Sequence, residues 1–329
     1  MSDAKQWSGQ DWSLVNGDCV EGLAQMPDAS VDVSVFSVPF SNLYIYSDSE
    51  RDMGNCADHE EFLAQHAFFA RELYRVMKPG AVVCDHVKDL VFYQNSSETG
   101  EGGLYPFSDE VLRNYRKAGF VLRARVTVWR DPVREMQKTK HERLLYKNIR
   151  GNSRVSAMGM PEYILVLRKD SRGIKVGEPV DHFAPGDTAA ADAIVARHLP
   201  IDASPEALQQ LLDEKRFSLE QWQEWASPVW MNTRQTDVLN GRFKGDGDDE
   251  RHICPMPLDL IERCLTLYSN RGDVVLDPFA GIGSTGVVAL RMKRKFLGFE
   301  LKPEYAREAV AWLKAGAQGA ADLFDEVAA

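Results

Sequence analysis

The feature that most constrains this chain lies in its last quarter. Asp273-Val-Val-Leu-Asp277-Pro-Phe-Ala-Gly281-Ile-Gly283-Ser-Thr-Gly286 reads as a strand, a glycine turn and the start of a helix. Glycines let the backbone come close to a bound ligand, and the turn delivers main-chain N–H groups at a helix N-terminus. Glu300 stands 23 residues after Asp277, at the end of the next strand, KFLGFE. That is where an α/β nucleotide-type site sets an acid against ribose hydroxyls. Taken alone, such a turn could equally serve tight strand-to-helix packing. Here an acid and a phenylalanine precede the glycines, and the spacing differs from the GxGxxG that grips a dinucleotide pyrophosphate. A ligand without phosphate suits it better.

Around the turn the chain keeps an α/β rhythm. WSLVNGD and VDVSVFSV have strand character, and EEFLAQHAFFARELYRVM has the apolar recurrence of an amphipathic helix. Lys78-Pro79-Gly80 reads as a stop ahead of the strand AVVCDHV. VLRNYRKAGF predicts a helix closed by Gly119, followed by the strands VLRARVTVW and PEYILVLRK. After His252 come the helix PLDLIERCLTLYS, the strand VVLD, the helix STGVVALRMK, the strand KFLGFE and the helix PEYAREAVAWLK. The fold class expected is α/β, a parallel sheet covered by helices, its late strands open to an antiparallel setting. Residues 171–245 are more polar, contain the helix-like SPEALQQLLDEKRFSLEQWQEWA, and read as a smaller, mainly helical insertion. The expected division is therefore 12–170, 171–245 and 246–315, with a tail over 316–329.

A second motif sits at Phe36-Ser37-Val38-Pro39-Phe40, after the apolar strand VDVSVF, at the carboxyl edge where α/β sites are built. An aromatic amine is a poor nucleophile because its lone pair is delocalised into the ring. Acceptors that hold its two N–H bonds favour a pyramidal nitrogen, and Ser37 Oγ and the Val38 carbonyl can be those acceptors. Pro39 biases residue 38 towards an extended conformation, so Val38→Pro should be tolerated. Phe40 offers a face on which a base taken out of its stack can rest. Nearer the N-terminus, Asp18 and Cys19 follow a strand. Asp18 suits a helix cap, and either it or the neighbouring N–H could read an adenine ring.

Together the two motifs resemble the beta-type amino-methyltransferases of DNA, the N4-cytosine/N6-adenine class. Their signatures are a D/N/S-P-P-Y/F/W tetrapeptide followed, in chain order, by an F-x-G-x-G cofactor motif. The order here, Ser37 to Phe40 first and Phe279 to Gly283 last, matches that circularly permuted arrangement. NLYIYSDSERDMGN, VTVWRDPVREMQ, WASPVWM and DERHICPMPLDLIERC extend the likeness to a branch common in phages and prophages.

The resemblance implies a circularly permuted Rossmann-like methyltransferase sheet. It implies transfer of a methyl group from S-adenosyl-L-methionine, which carries no phosphate, to the exocyclic amine of a flipped base, N4 of cytosine ahead of N6 of adenine. Phe279, Ala280, Gly281, Gly283, Thr285 and Glu300 would line the cofactor, with Asp277 beside its methionine end and Asp18 and Cys19 at the adenine. His252 and Ile253 belong to the segment that would close over it. Ser37, Val38, Pro39 and Phe40 would hold the base. Residues 171–245 would recognise the target, and Arg130, Arg134, Lys138, Lys140, Arg143, Lys147 and Arg150 would grip DNA phosphates.

One position departs from the family. Val38 stands where the tetrapeptide has proline, so φ is unlocked and a new N–H needs a partner. A catalytically impaired DNA-binding protein retaining the fold is therefore the alternative. Cytosine-C5 chemistry needs a thiolate nucleophile, and the chain has no Pro-Cys dipeptide and no cysteine near residue 37. Glutamine-methylating enzymes of release factors carry the two motifs in the reverse order.

Composition fits these expectations. With 44% hydrophobic and 27% charged residues the chain reads as globular. Its net charge of −10 opposes a uniformly basic surface, yet residues 130–154 hold eight Lys/Arg against three acids. That stretch suits either a solvated face or a local DNA contact. No run of 18 apolar residues occurs, so neither secretion nor a membrane partner is expected. Five cysteines, odd in number and never spaced CxxC, predict no metal site and no disulfide framework and fit a bacterial or infected-host cytoplasm. DNA is the expected partner, with a homodimer left open.

Overall fold

Side chains along the central strands alternate between two separate cores, so the sheet that carries them is covered on both faces. The structure is a computed structural model that describes residues 5–43, 45, 47, 49–93, 100–133, 135, 150–151, 159–171, 173, 196, 199–200, 203–207, 210, 222–239 and 255–317. The strands of the sheet are β1 (Lys5–Ser8), β2 (Trp12–Asn16), β3 (Val31–Phe36), β4 (Met77–Val87), β7 (Val121–Val128), β8 (Glu162–Arg168), β9 (Val229–Trp230), β10 (Val274–Asp277) and β11 (Lys295–Glu300). Their order is β1-β2-β11-β10-β3-β4-β8-β7-β9. A separate hairpin joins β5 (Leu90–Phe92) to β6 (Gly103–Tyr105). The run from β2 to β4 is parallel, while β8 lies antiparallel to both β4 and β7.

Helices α1 (Cys19–Gln25), α2 (His59–Val76) and α3 (Phe107–Ala118) share one core, where Phe62, Phe69, Leu73, Val111 and Tyr115 meet Val31, Phe36, Val83, Leu165 and Leu276. On the opposite face, α4 (Leu258–Tyr268), α5 (Ser284–Arg291) and α6 (Pro303–Ala317) place Leu260, Cys264, Val287, Ala309 and Leu313 against Val33, Val35, Cys84, Ile164 and Val275. A parallel sheet buried on both faces is the expected home of near-continuous apolar runs such as VVL and VDVSVF.

The helices start where the sequence offers caps. Asp58 Oδ1 accepts from the Glu61 amide at 2.9 Å, and Glu61 Oε2 accepts from the Ala57 amide at 2.7 Å, a reciprocal cap for α2. α3 ends on Gly119 at φ 113°, a left-handed setting open to glycine without strain.

Three features differ from the sequence expectations. Lys78-Pro79-Gly80 is no stop before a strand, because β4 already begins at Met77. Val31 pairs with Met77 and Val33 with Val82, so residues between them bulge out; this absorbs the missing amide of Pro79 and the φ of 78° at Gly80. Residues 5–8, ahead of the expected start at residue 12, form an edge strand. Within 171–245, Val229 and Trp230 extend the main sheet beside β7. Arg263 of α4 holds that part down, its guanidinium lying 5.6 Å from the Trp225 ring centre and 5.4 Å from that of Trp230.

Candidate active site

The parallel run brings β10 and β11, from the end of the chain, between β2 and β3 from its beginning. The carboxyl ends of these four strands therefore converge, as they do at the crevice of open α/β sheets. There a cavity of about 1000 Å³, counted to its open mouth, is lined by Asp18, Cys19, Ser37, Val38, Pro39, Phe40, Asp277, Phe279, Ala280, Gly281, Thr285 and Glu300. The structure thus unites both motifs in one space. Gly283 does not line it. At φ 93° it caps α5, and an added Cβ there would lie 3.2 Å from the Ala309 side chain, so this glycine serves turn geometry and helix packing. His252 and Ile253 fall outside the described residues, but the adjoining Pro255 and Met256 reach the cavity. Sequence reasoning also missed Arg51, Asp52, Met53 and Tyr305 on its wall. The segment NLYIYSDSERDMGN, noted only as a likeness, contained three of them.

On the β10–β11 side the glycine turn is closed on itself. The Phe279 amide donates to Asp277 Oδ1 at 2.9 Å, the Ala280 amide to the Phe299 carbonyl at 2.8 Å and the Gly281 amide to Glu300 Oε2 at 2.7 Å. Gly283 donates to the Ala280 carbonyl at 2.8 Å. These four amides are spent on protein acceptors and are not free to cradle a phosphate. Glu300 Oε1 accepts from the Lys302 amide at 2.8 Å, so one carboxylate ties the turn to the end of β11. Burial pushes Asp277 and Glu300 up to about 7, against the hydrogen bonds each accepts. Two such carboxylates gain most from a cationic, phosphate-free ligand, and S-adenosylmethionine with its sulfonium is one. Phe279 packs on Phe36 and Phe69, ring centres 5.8 and 5.0 Å away, which fixes the turn against the core. Asp18 caps α1, its Oδ1 accepting from the Glu21 amide at 2.8 Å.

On the β3 side, the Ser37 hydroxyl donates to the His86 carbonyl at 2.8 Å, which spends its hydrogen and leaves its lone pairs to accept. The added N–H of Val38 has a partner, Asp85 Oδ1 at 3.1 Å. This corrects the expectation for Val38→Pro. A ring carbon in place of that hydrogen would sit well inside van der Waals contact with the carboxylate. Phe40 is buried, edge-on to Phe107 at 6.5 Å, with Lys88 Nζ 5.5 Å from its ring centre.

Arg130, expected at a DNA phosphate, is largely buried beside an acid. Its side chain is 11% exposed, with Nε 3.1 Å from Glu162 Oε1, and Glu162 Oε2 lies 2.7 Å from His86 Nε2. Burial opposes the Glu162 charge, but His86, Arg130 and Lys88 hold it down at about 2. Arg150 is exposed, whereas Arg134, Lys138, Lys140, Arg143 and Lys147 lie outside the described residues.

The N6_N4_Mtase model, described as DNA methylase, matches residues 31–311. The chain belongs to this family. It is a DNA amino-methyltransferase family of the N4-cytosine/N6-adenine class that uses S-adenosylmethionine, and the covered mixed sheet is its fold. The DNA adenine methyltransferase YhdJ of Escherichia coli (strain K12) is 26% identical over 298 residues, covering 90% of this chain and 80% of the relative. TTHA0409 of Thermus thermophilus, named for DNA modification methylase activity and solved with S-adenosyl-L-methionine, has 25% identity and a TM-score of 0.58, covering 92% of this chain and 93% of that one. The cytosine-N4-specific PvuII DNA methyltransferase shares the fold at 17% identity, with a TM-score of 0.56 over 95% of this chain and 94% of that one. Among the described residues of this family member, no helix is long and apolar enough to cross a membrane.

Proposed function

We propose that the protein methylates the exocyclic amine of a base turned out of DNA, cytosine N4 ahead of adenine N6, using S-adenosylmethionine as methyl donor. The observation that carries this reading is the meeting, in one cavity, of the closed glycine turn and the Ser37 hydroxyl. The cofactor, when bound, would supply an electrophilic methyl group, and Asp277 and Glu300 belong to the wall that would hold it. Ser37 Oγ and the Val38 carbonyl accept the two amine hydrogens, which turns the nitrogen lone pair out of the ring system. Phe40 borders the space where the base rests. The cytosine preference rests on serine as the first residue of the tetrapeptide. The partner found for the Val38 amide favours an active enzyme over an impaired one.

Label from methyl-tritiated cofactor should enter DNA, survive protease digestion and be released by nuclease. Label found in protein alone would contradict the proposal.

Cofactor affinity should depend on pH. In the free protein Asp277 and Glu300 titrate near 7, and a cation in the cavity favours their ionised forms. Binding therefore expels protons, so affinity falls as pH drops through about 7 and levels off above it. The limit is about ten-fold per pH unit for each group. Without ligand the sign reverses for stability: both groups hold protons more tightly folded than unfolded, so their contribution is lost as pH rises from about 4 to about 7. Calorimetric titration at pH 6, 7 and 8 (about one decade either side of the midpoint) measures the first effect; a flat or inverted trend would remove the two carboxylates from the cofactor's surroundings.

For the basic stretch, Arg150→Ala should reduce the slope of log K against log salt for duplex DNA by about 0.9. Arg130→Ala should leave the slope unaltered and lower the melting temperature instead, because it leaves the buried Glu162 with one cation fewer, His86 still bonded to it. The opposite pattern would reverse the two assignments. Residues 171–245 remain the proposed target-recognition segment.

A further inference from the structure

We propose that Asp85 is a positioning residue for the target amine, holding Val38 by hydrogen bonding where the family holds residue 38 by a proline ring. The proposal rests on the functional reading above and concerns the turn that would carry the amine's acceptors.

Asp85 follows the apolar run Ala81–Cys84 of β4 and is fully buried. A carboxyl group there is costly to bury unless it is engaged. Both of its oxygens are. Oδ1 accepts from the Val38 amide at 3.1 Å, and Oδ2 accepts from the Tyr115 hydroxyl at 2.9 Å. Tyr115 is held in turn by the core of α2 and α3, with its ring 4.8 Å from His66 and 5.9 Å from Phe120. The next residue of β4, His86, accepts the Ser37 hydroxyl through its carbonyl. Successive residues of one central strand thus fix both members of the proposed acceptor pair.

The geometry explains why the amide of residue 38 matters to its carbonyl. Anchoring the N–H fixes the peptide plane between Ser37 and Val38, and φ of Val38 is measured from that plane. Pro39 restricts ψ of Val38 towards extended values. The buried Val38 side chain packs in the same core and opposes rotation about φ. Amide anchor, buried side chain and following proline together aim the carbonyl. A proline at 38 would fix φ directly, but it has no N–H to give and would collide with Oδ1. The two solutions exclude each other, and the pair Val38–Asp85 is one of them.

The test is a mutant cycle read by single-turnover methylation at saturating cofactor. Asp85→Ala should lower kcat about ten-fold, the scale of one buried hydrogen bond, with cofactor Kd unchanged. Asp85→Asn, which keeps an acceptor for the amide, should recover most of that loss. Val38→Pro should lower kcat in the wild-type background and raise it in the Asp85→Ala background, where the carboxylate is gone. Hydrogen exchange at the Val38 amide gives a readout independent of activity: slow in wild type and in Asp85→Asn, fast in Asp85→Ala. Additive effects of Val38→Pro and Asp85→Ala on kcat, or an exchange rate indifferent to Asp85→Ala, overturn the proposal. A wild-type protein that transfers no methyl group to DNA overturns the functional reading instead, and the exchange experiment still decides the clamp.

Discussion

Ser37→Ala should lower kcat by about a hundred-fold while leaving cofactor affinity unchanged. The hydroxyl has one hydrogen, committed to the His86 carbonyl at 2.8 Å, so towards a substrate it acts only as an acceptor. That is the property an amine donor requires as positive charge grows on its nitrogen. Removing one preorganised hydrogen-bonding group aimed at developing charge costs on the order of 10² to 10³ in kcat. The same substitution leaves the His86 carbonyl without the Ser37 hydroxyl, a loss of about 1 kcal/mol that would appear in the melting temperature. Single-turnover rates and calorimetric Kd values separate the two effects. A mutant that melts earlier but turns over normally would make Ser37 an anchor of the turn with no part in holding the amine.

Glu300→Ala should weaken S-adenosylmethionine binding by about a hundred-fold. Glu300 accepts the Gly281 amide at 2.7 Å and the Lys302 amide at 2.8 Å, so the substitution strands two donors at the cavity wall. Each stranded donor costs about 1–3 kcal/mol, so the pair is worth about 2–6 kcal/mol, and about 2.7 kcal/mol of it expressed in binding amounts to two decades of Kd. Its main chain is tied separately: the Asn16 side-chain amide donates to the Glu300 and Leu301 carbonyls at 2.8 and 2.9 Å, and Gly17 donates to the Glu300 carbonyl at 3.0 Å. The strand end should therefore stay in place while the turn loosens. Glu300→Gln should fall between, because an amide can accept one of the two N–H groups but meets the other with a donor of its own. Equal affinity in wild type and Glu300→Ala would reduce the whole glycine turn to a packing device.

The parts of this molecule legible in the sequence are those encoded locally. Strand, glycine turn and helix start at 273–286 are specified by neighbours in the chain, and so are the cap of α2 and the glycine stop of α3. The tetrapeptide at 37–40 could be found because a strand end followed by proline is a short-range pattern. What escaped depends on pairs far apart. Asp85 meets Val38 across 47 residues, and Arg130 is buried by an acid on the neighbouring strand, so its charge looked available when only the density of basic residues was visible. The resemblance puts Gly283 at the ligand, and a glycine required by a turn and one required by a ligand look alike until Ala309 is placed against it. Lys78-Pro79-Gly80 carried a local stop signal that the bulge in β4 overrode. One long-range feature did leave a trace: an aspartate in the middle of AVVCDHV breaks an apolar strand, and a buried carboxylate of that kind asks for donors.

Nucleoside mass spectrometry tests the central claim most directly. Unmethylated genomic DNA is incubated with the protein and a cofactor carrying a deuterated methyl group, then digested to nucleosides. The label is expected on an exocyclic nitrogen, as N4-methylcytosine, and should accumulate about a hundred-fold more slowly with Ser37→Ala. N6-methyladenine would keep the site and its chemistry and change only the base. Label on carbon 5 of cytosine, or DNA left unlabelled by a protein that binds the cofactor, would contradict the account.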